Sequence, residues 1–206
     1  MPSKNQLTVL MVLAVATWAV LLWWQGVQTD ARWLQPFSMV VTVLMLFLAA
    51  FNAWLWKWPV FRGWLVRRPV VEGTWKVLLQ TRWKNPETGA VPGPIVGYMA
   101  IRQKYDSLSM RLMTAESSSV LLGAEILTEP DGARSIAGIY RNEPIMAVRE
   151  RSRIHHGALL LQVQGQPPTR LTGKYWTDRD TAGDMELSER RPRQFESFDA
   201  ATKGWN

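Results

Sequence analysis

The apolar positions of this chain follow two regimes. Over residues 7–27 and 37–56 they are nearly continuous, with no Asp, Glu, Lys or Arg in either stretch. An apolar run of about 20 residues is long enough for a helix to cross a hydrocarbon core of about 30 Å. The pattern therefore predicts transmembrane helices over 7–27 and 37–56, joined by a short periplasmic loop over 28–36. A cleaved signal peptide fits the first run less well, because its apolar core is too long and Trp23-Trp24-Gln25 offers no small-residue cleavage site. Two buried core helices fit less well too, since they would leave one end of a water-soluble domain almost wholly apolar.

After a basic juxtamembrane linker over 57–71, the period changes to two. Leu108, Met110 and Leu112 alternate with Ser109 and Arg111, and Leu159, Leu161 and Val163 lie on one parity, as half-buried strands require. Turn chemistry recurs at Asn85-Pro86-Glu87-Thr88-Gly89, Tyr105-Asp106-Ser107, Glu129-Pro130-Asp131-Gly132, Gly165-Gln166-Pro167-Pro168 and Asp180-Thr181-Ala182-Gly183. These signals predict strands near 73–83, 95–105, 107–115, 118–128, 134–141, 145–163 with a break, 169–177 and 184–190. The expected fold is a membrane-anchored all-β protein: two N-terminal transmembrane helices followed by a small, about eight-stranded antiparallel β-barrel over 72–191. A two-layer sandwich is the second choice, because exposed strand edges must be removed or covered. The tail over 192–206 is expected to be disordered.

Charge refines this picture. The net charge is +7, but residues 72–191 carry 16 Lys or Arg against 14 Asp or Glu, so most of the excess lies outside the β region. No basic stripe with interleaved aromatics marks a nucleic-acid polymer as partner. Lys4 precedes the first run and Lys57, Arg62, Arg67 and Arg68 follow the second. By the positive-inside rule both termini and the barrel are expected to be cytoplasmic, in a multi-pass membrane protein with its basic linker against anionic lipid. Eight of the twelve tryptophans, at 18, 23, 24, 33, 54, 56, 58 and 64, lie in or near the spans and are expected mainly at the headgroup layer. The chain has no cysteine, which excludes disulfide and thiolate chemistry.

Catalytic patterns are thin. The sequence holds no Gly-x-Ser-x-Gly and no phosphate-binding Gly-rich loop ahead of a helix. His155 and His156 are the two histidines, and neighbours on a strand point to opposite faces. Ser117-Ser118-Ser119 has no evident base, and Asp178, Asp180 and Asp184 lack the spacing of a calcium loop. An enzyme, a metal site and a cofactor are therefore not expected.

Residues suited to a small polar aromatic ligand are present. Trp75, Tyr140, Tyr175 and Trp176 supply flat faces. Thr114, Ser118, Asn142 and Thr177 supply directional hydrogen bonds, and Arg141 and Arg179 supply positive charge. Aromatic faces stack on bases, arginine forks pair with phosphate oxygens, and an eight-stranded barrel can hold one small ligand. Core packing is the competing reading for each aromatic, and a turn ion pair with Asp178 or Asp180 for Arg179.

Two apolar helices followed by Gly73-Thr74-Trp75, Tyr140-Arg141-Asn142-Glu143-Pro144, His156-Gly157 and Gly173-Lys174-Tyr175-Trp176-Thr177-Asp178-Arg179 with Thr181 and Gly183 form a pattern that resembles the transmembrane β-barrel effectors of bacterial cyclic-oligonucleotide anti-phage signalling (CBASS). These are also called SMODS-associated two-transmembrane, β-strand-rich effectors. The resemblance covers about residues 7–190, and its last segment is the most specific. It implies a barrel that binds a cyclic dinucleotide made by a partner cyclic-nucleotide synthase, then self-association to a homo-oligomer whose helices disrupt the inner membrane and abort infection. The ligand-binding residues it implies are Trp75, Thr114, Ser118, Tyr140, Asn142, Tyr175, Thr177 and Arg179. Thr17, Thr42 and Asn52 would offer polar helix contacts. A membrane-tethered, lipocalin-like carrier of an apolar ligand is the alternative, and a membrane-bound hydrolase a weaker one.

Overall fold

The structure is a computed structural model that describes residues 11–12, 15–16, 19–20, 23–24, 41–42, 45–62, 65–85 and 88–205. The chain divides into two compact units, residues 1–50 and 51–206. The described residues of the first unit are helical. Thirteen of the 21 residues of the expected span over 7–27, Thr17 among them, six of the 20 over 37–56, and the whole expected loop over 28–36 lie outside the described residues. Among the described residues no helix is long and apolar enough to cross a membrane. This finding corrects the expected multi-pass inner-membrane localisation with cytoplasmic termini.

The second unit contains eight strands: β1 Gly73–Thr81, β2 Ile95–Gln103, β3 Leu108–Thr114, β4 Ser117–Thr128, β5 Arg134–Pro144, β6 His155–Gln164, β7 Arg170–Thr177 and β8 Ala182–Arg191. All pair antiparallel in chain order, and β1 closes on β8 through pairs such as Val77 with Leu187. The result is an up-and-down barrel rather than a sandwich, and closure leaves no sheet edge. The expected strand over 145–163 is corrected in its first half. Residues 145–154 form a loop with a short 3-10 turn over Met146–Val148, while β5 runs on to Pro144, where a residue without an N–H ends the ladder.

The interior follows from alternation. Trp75, Val77, Ile101, Ile136, Leu161, Leu171 and Leu187 point inward and fill one end of the lumen. Trp75 has no exposed surface, and its indole N–H donates to the Val71 carbonyl at 2.8 Å. That end is also where the preceding chain is fastened. The Gln103 amide accepts from Val71 N–H and donates to the Pro69 carbonyl, both at 2.9 Å, and Lys57 pairs with Glu72. Asn52 accepts from the backbone N–H groups of Tyr105 and Asp106. Trp56, expected at a headgroup layer, is wholly buried and meets Tyr105 at 6.0 Å between ring centroids.

The expected disordered tail over 192–206 is also corrected. Helix α1, Phe198–Trp205, lies on the outer wall of β2 and β3. There Phe195, Ala201, Phe198 and Trp205 pack with Tyr98 and Met113. Eight residues are too few for a stable isolated helix. Packing supplies the rest, together with a clasp in which the Arg191 guanidinium lies 4.7 Å from the Trp205 ring centre and donates to the Gly204 carbonyl. Because Trp75 is the largest side chain at the filled end of the lumen, Trp75→Ala is expected to lower unfolding free energy by about 3–5 kcal/mol in urea denaturation.

Candidate functional site

The other end of the lumen is open. A cavity of about 680 Å³ occupies it, within the range of about 300–1,000 Å³ common for small-molecule sites. Its floor is apolar, formed by Leu79, Met99, Met110, Leu159 and Met185. Three methionines on three strands give a surface that adapts to ligand shape.

Two tyrosines form the next layer. Tyr140 on β5 and Tyr175 on β7 point into the lumen at residues where neighbouring strands carry glycine. A Cβ on Gly157 would lie 2.5 Å from the Tyr140 hydroxyl, and one on Gly183 would lie 2.8 Å from the Tyr175 hydroxyl. Each ring therefore occupies space that only a glycine partner leaves free. Burial, with smaller contributions from Tyr175 and Asp178, pushes the Tyr140 phenol well above its ordinary 10.0. The Tyr175 phenol is raised by burial too, opposed by its bond with Thr81 and aided by Asp184. Both rings are thus neutral phenols at physiological pH.

Above the tyrosines one wall is polar and uncharged. Ser119 and Asn142 face each other across β4 and β5, both buried, and the Ser119 hydroxyl donates to Asn142 Oδ1 at 2.7 Å. The rim above is cationic. Arg151, from the β5–β6 loop, reaches Glu116 in the neighbouring β3–β4 turn at 2.6 Å, and both line the cavity. Arg179, in the β7–β8 turn, donates to the Arg153 carbonyl at 3.2 Å and to the Ser152 hydroxyl at 3.4 Å. That turn is set by Asp180, whose φ of 56° is left-handed, and by the Thr177 and Thr181 hydroxyls 2.6 Å apart.

Of the residues singled out in the sequence, Thr114, Tyr140, Asn142, Tyr175, Thr177 and Arg179 line this cavity. Trp75 does not, because it lies in the packed opposite end of the lumen. Ser118 does not either, because its parity on β4 turns it away from the face that Ser117 and Ser119 share; its buried hydroxyl has no partner among the described residues. Arg141 pairs with Glu143 outside the barrel, and Trp176 is about half exposed on the outer wall. Thr114 is partly occupied, accepting from the Ser117 N–H at 3.0 Å. His155 lines the cavity while His156 faces outward, 3.7 Å from Asp178.

Sequence reasoning noted Ser119 only within the Ser117-Ser118-Ser119 run, for turn or phosphate-contact roles, and missed Arg151, Glu116 and the glycine seats. Counting parity back from Asn142 to its partner on β4 would have found Ser119 had the register been known. The Arg151–Glu116 pair joins residues 35 apart and has no local signature.

The geometry can therefore stack a flat ring over a soft floor, hydrogen-bond an uncharged edge on one wall, and hold anionic groups at the rim. Comparison with known proteins adds two findings. The family model described as Cap15, cyclic dinucleotide receptor domain, matches residues 66–189. The CD-NTase-associated protein 15 of Staphylococcus schleiferi is 26% identical over 157 residues, which cover 76% of this chain and 80% of that protein.

The tyrosine layer yields a pH prediction. A phenol whose folded pKa is raised lends stability that is present in full below pH 10 and is lost as pH rises toward the folded value. Tyr140→Phe is therefore expected to make urea stability fall less steeply above pH 10 than it does in the unsubstituted protein.

Proposed function

The chain belongs to the Cap15 cyclic dinucleotide receptor family, and from that premise we propose that the open end of its barrel is the receptor site for a cyclic dinucleotide. The observation that carries the assignment is the layered cavity, with tyrosine faces and a neutral hydrogen-bonding wall beneath a rim holding Arg151 and Arg179. Bases are flat, uncharged and bear edge donors and acceptors; the two linking phosphates are anionic. The layers match those parts in order. Thr114, Tyr140, Asn142, Tyr175, Thr177 and Arg179 are the proposed contacts.

Binding is the functional event in this reading, and the protein breaks no bond. The chain then acts as the effector of a CBASS defence system, with a CD-NTase, a cyclic-nucleotide synthase, supplying the messenger. The name of the staphylococcal relative supports that link. Output requires the ligand to favour one state of the chain over another, and a self-associated state bound more tightly than the resting one would suffice. The methionine floor also suits an apolar guest, so a fatty-acid probe belongs in the same titration as the carrier alternative.

Calorimetric titration of the full chain with a panel of cyclic dinucleotides and linear controls tests the reading. One cyclic species is expected to bind at micromolar affinity or tighter. Uptake of the fatty-acid probe without any cyclic dinucleotide would overturn the reading in favour of the carrier.

Arg179→Ala is expected to weaken binding by about 10- to 100-fold, as for loss of a charged hydrogen bond. Arg179→Lys, which keeps the charge but not the fork, should fall between. Glu116→Gln frees Arg151 for phosphate and is expected to strengthen binding severalfold at low salt, an effect that shrinks as salt is added.

A further inference from the structure

His155 lines the cavity, and the binding contacts assigned above leave it without a role. It opens β6 opposite Asn142 on β5, so it stands where the neutral wall meets the rim. Its ring Nδ1 lies 2.9 Å from the Arg153 carbonyl oxygen. A carbonyl can only accept, so Nδ1 carries a proton. The same oxygen accepts from the Arg179 guanidinium at 3.2 Å. Two donors on one oxygen bring the imidazole and the guanidinium together at the mouth. The far ring nitrogen, Nε2, has no hydrogen bond among the described residues.

With its Nδ1–H committed, a neutral ring leaves Nε2 as a bare acceptor. Phosphodiester oxygens also accept and cannot donate. A phosphate therefore meets Nε2 favourably only when Nε2 takes a second proton and the ring becomes a cation, which makes the hydrogen bond a charge-assisted one. Imidazole is the side chain suited to that change between about pH 5 and 8.

The charges around it point the same way. Lining the cavity with His155 are Glu116 from the β3–β4 turn, Arg151 from the β5–β6 loop and Arg179 from the β7–β8 turn, and Glu116 already offsets Arg151. One positive charge is left to face a ligand with two phosphates. Tyr140 and Tyr175 below are neutral phenols. Outside the lumen Arg141 pairs with Glu143, and Asp178 stands beside His156. Arg149, Glu150, the Arg153 side chain and Asp180 are exposed in the two loops and do not line the cavity. A proton on His155 supplies the second positive charge, next to Arg179.

We propose that His155 contacts a linking phosphate of the cyclic dinucleotide as an imidazolium, so that the barrel takes up a proton on binding and holds its messenger more tightly as pH falls through neutrality. The proposal rests on the cyclic dinucleotide reading above and adds to it a contact and a dependence on pH. The sign follows from linkage: a group that binds its proton more firmly in the complex strengthens binding wherever the free protein would otherwise have lost that proton.

The test titrates the full chain calorimetrically with the tightest of cyclic di-GMP, di-AMP, di-UMP and the mixed GMP–AMP and UMP–AMP rings. It is run between about pH 5.5 and 8, in pairs of buffers that differ in ionisation enthalpy, which counts the protons exchanged. Neither the phosphodiesters nor the bases of these ligands titrate there, so uptake reports on the protein. Binding is expected to weaken about five- to tenfold from the lower to the higher pH, with uptake of about half a proton per ligand near neutrality. His155→Gln stays polar but cannot gain a charge, and is expected to bind with one affinity across the range and without uptake. His156→Gln removes the outward-facing histidine and is expected to keep both the pH dependence and the uptake. A merely structural His155 would instead give an equal loss at every pH with the slope kept.

Binding without pH dependence or proton uptake overturns the proposal; a ring that gave up the Arg153 carbonyl and met phosphate as the neutral Nε2–H tautomer would behave so. Uptake that survives in His155→Gln, or that is lost in His156→Gln, overturns it as well. Each of these outcomes leaves the receptor reading intact. Binding of none of the five rings overturns that reading, and this inference falls with it.

Discussion

A closed eight-stranded barrel must fill its lumen, and the organisation of this molecule follows from how unevenly it does so. Trp75 and the branched residues around it fill one end completely, and the same positions on the other half of the strands carry methionine, tyrosine and small polar side chains. Close packing at one end makes the barrel a stable frame. That frame permits an unfilled and partly polar space at the other. Closure between β1 and β8 matters for the same reason, since a sheet with a free edge could not hold opposed walls at fixed spacing.

The open end is stratified by polarity. Its floor is apolar, its middle is aromatic and neutral, and its formal charges are confined to the rim, where water screens them and no desolvation cost arises. The rim arginines are engaged in the absence of ligand, Arg151 with Glu116 and Arg179 with the loop over residues 152–153. A ligand at the mouth must exchange these contacts for its own. The loop between β5 and β6 is therefore the part of the site whose contacts depend most directly on what is bound.

Much of the barrel was legible because a period of two is dictated by strand geometry, and because turn residues punctuated the chain at nearly regular intervals. Antiparallel pairing in chain order followed once no helix intervened. Within the site, Tyr140, Asn142, Tyr175, Thr177 and Arg179 were recognisable by side-chain chemistry, and the structure brings them to one cavity. Trp75 and Ser118 show where chemistry without register fails. Both have suitable groups, yet a position along the strand buries one in the packed end, and a single step in parity turns the other outward. The helix over Phe198–Trp205 was illegible because it owes its order to Tyr98 and Met113, roughly a hundred residues earlier, and not to its own propensity. The apolar runs at the N-terminus carried a strong length signal, but the described residues contain no helix of membrane-crossing length.

The segment from Asn52 to Glu72 is fastened to the packed end of the barrel by Gln103, Tyr105 and the Lys57–Glu72 pair, whereas the cavity opens at the opposite end of the same strands. The open cavity and the attachment of the preceding chain are thus separated by a plug of low compressibility. Such a plug does not act as a spring. On the proposed reading, a messenger bound at the mouth would have little means of pulling on the preceding chain by bending the barrel. Its effect would have to leave sideways, through loops that rearrange around the mouth and alter what a neighbouring molecule can touch, with the barrel turning or docking as one solid piece.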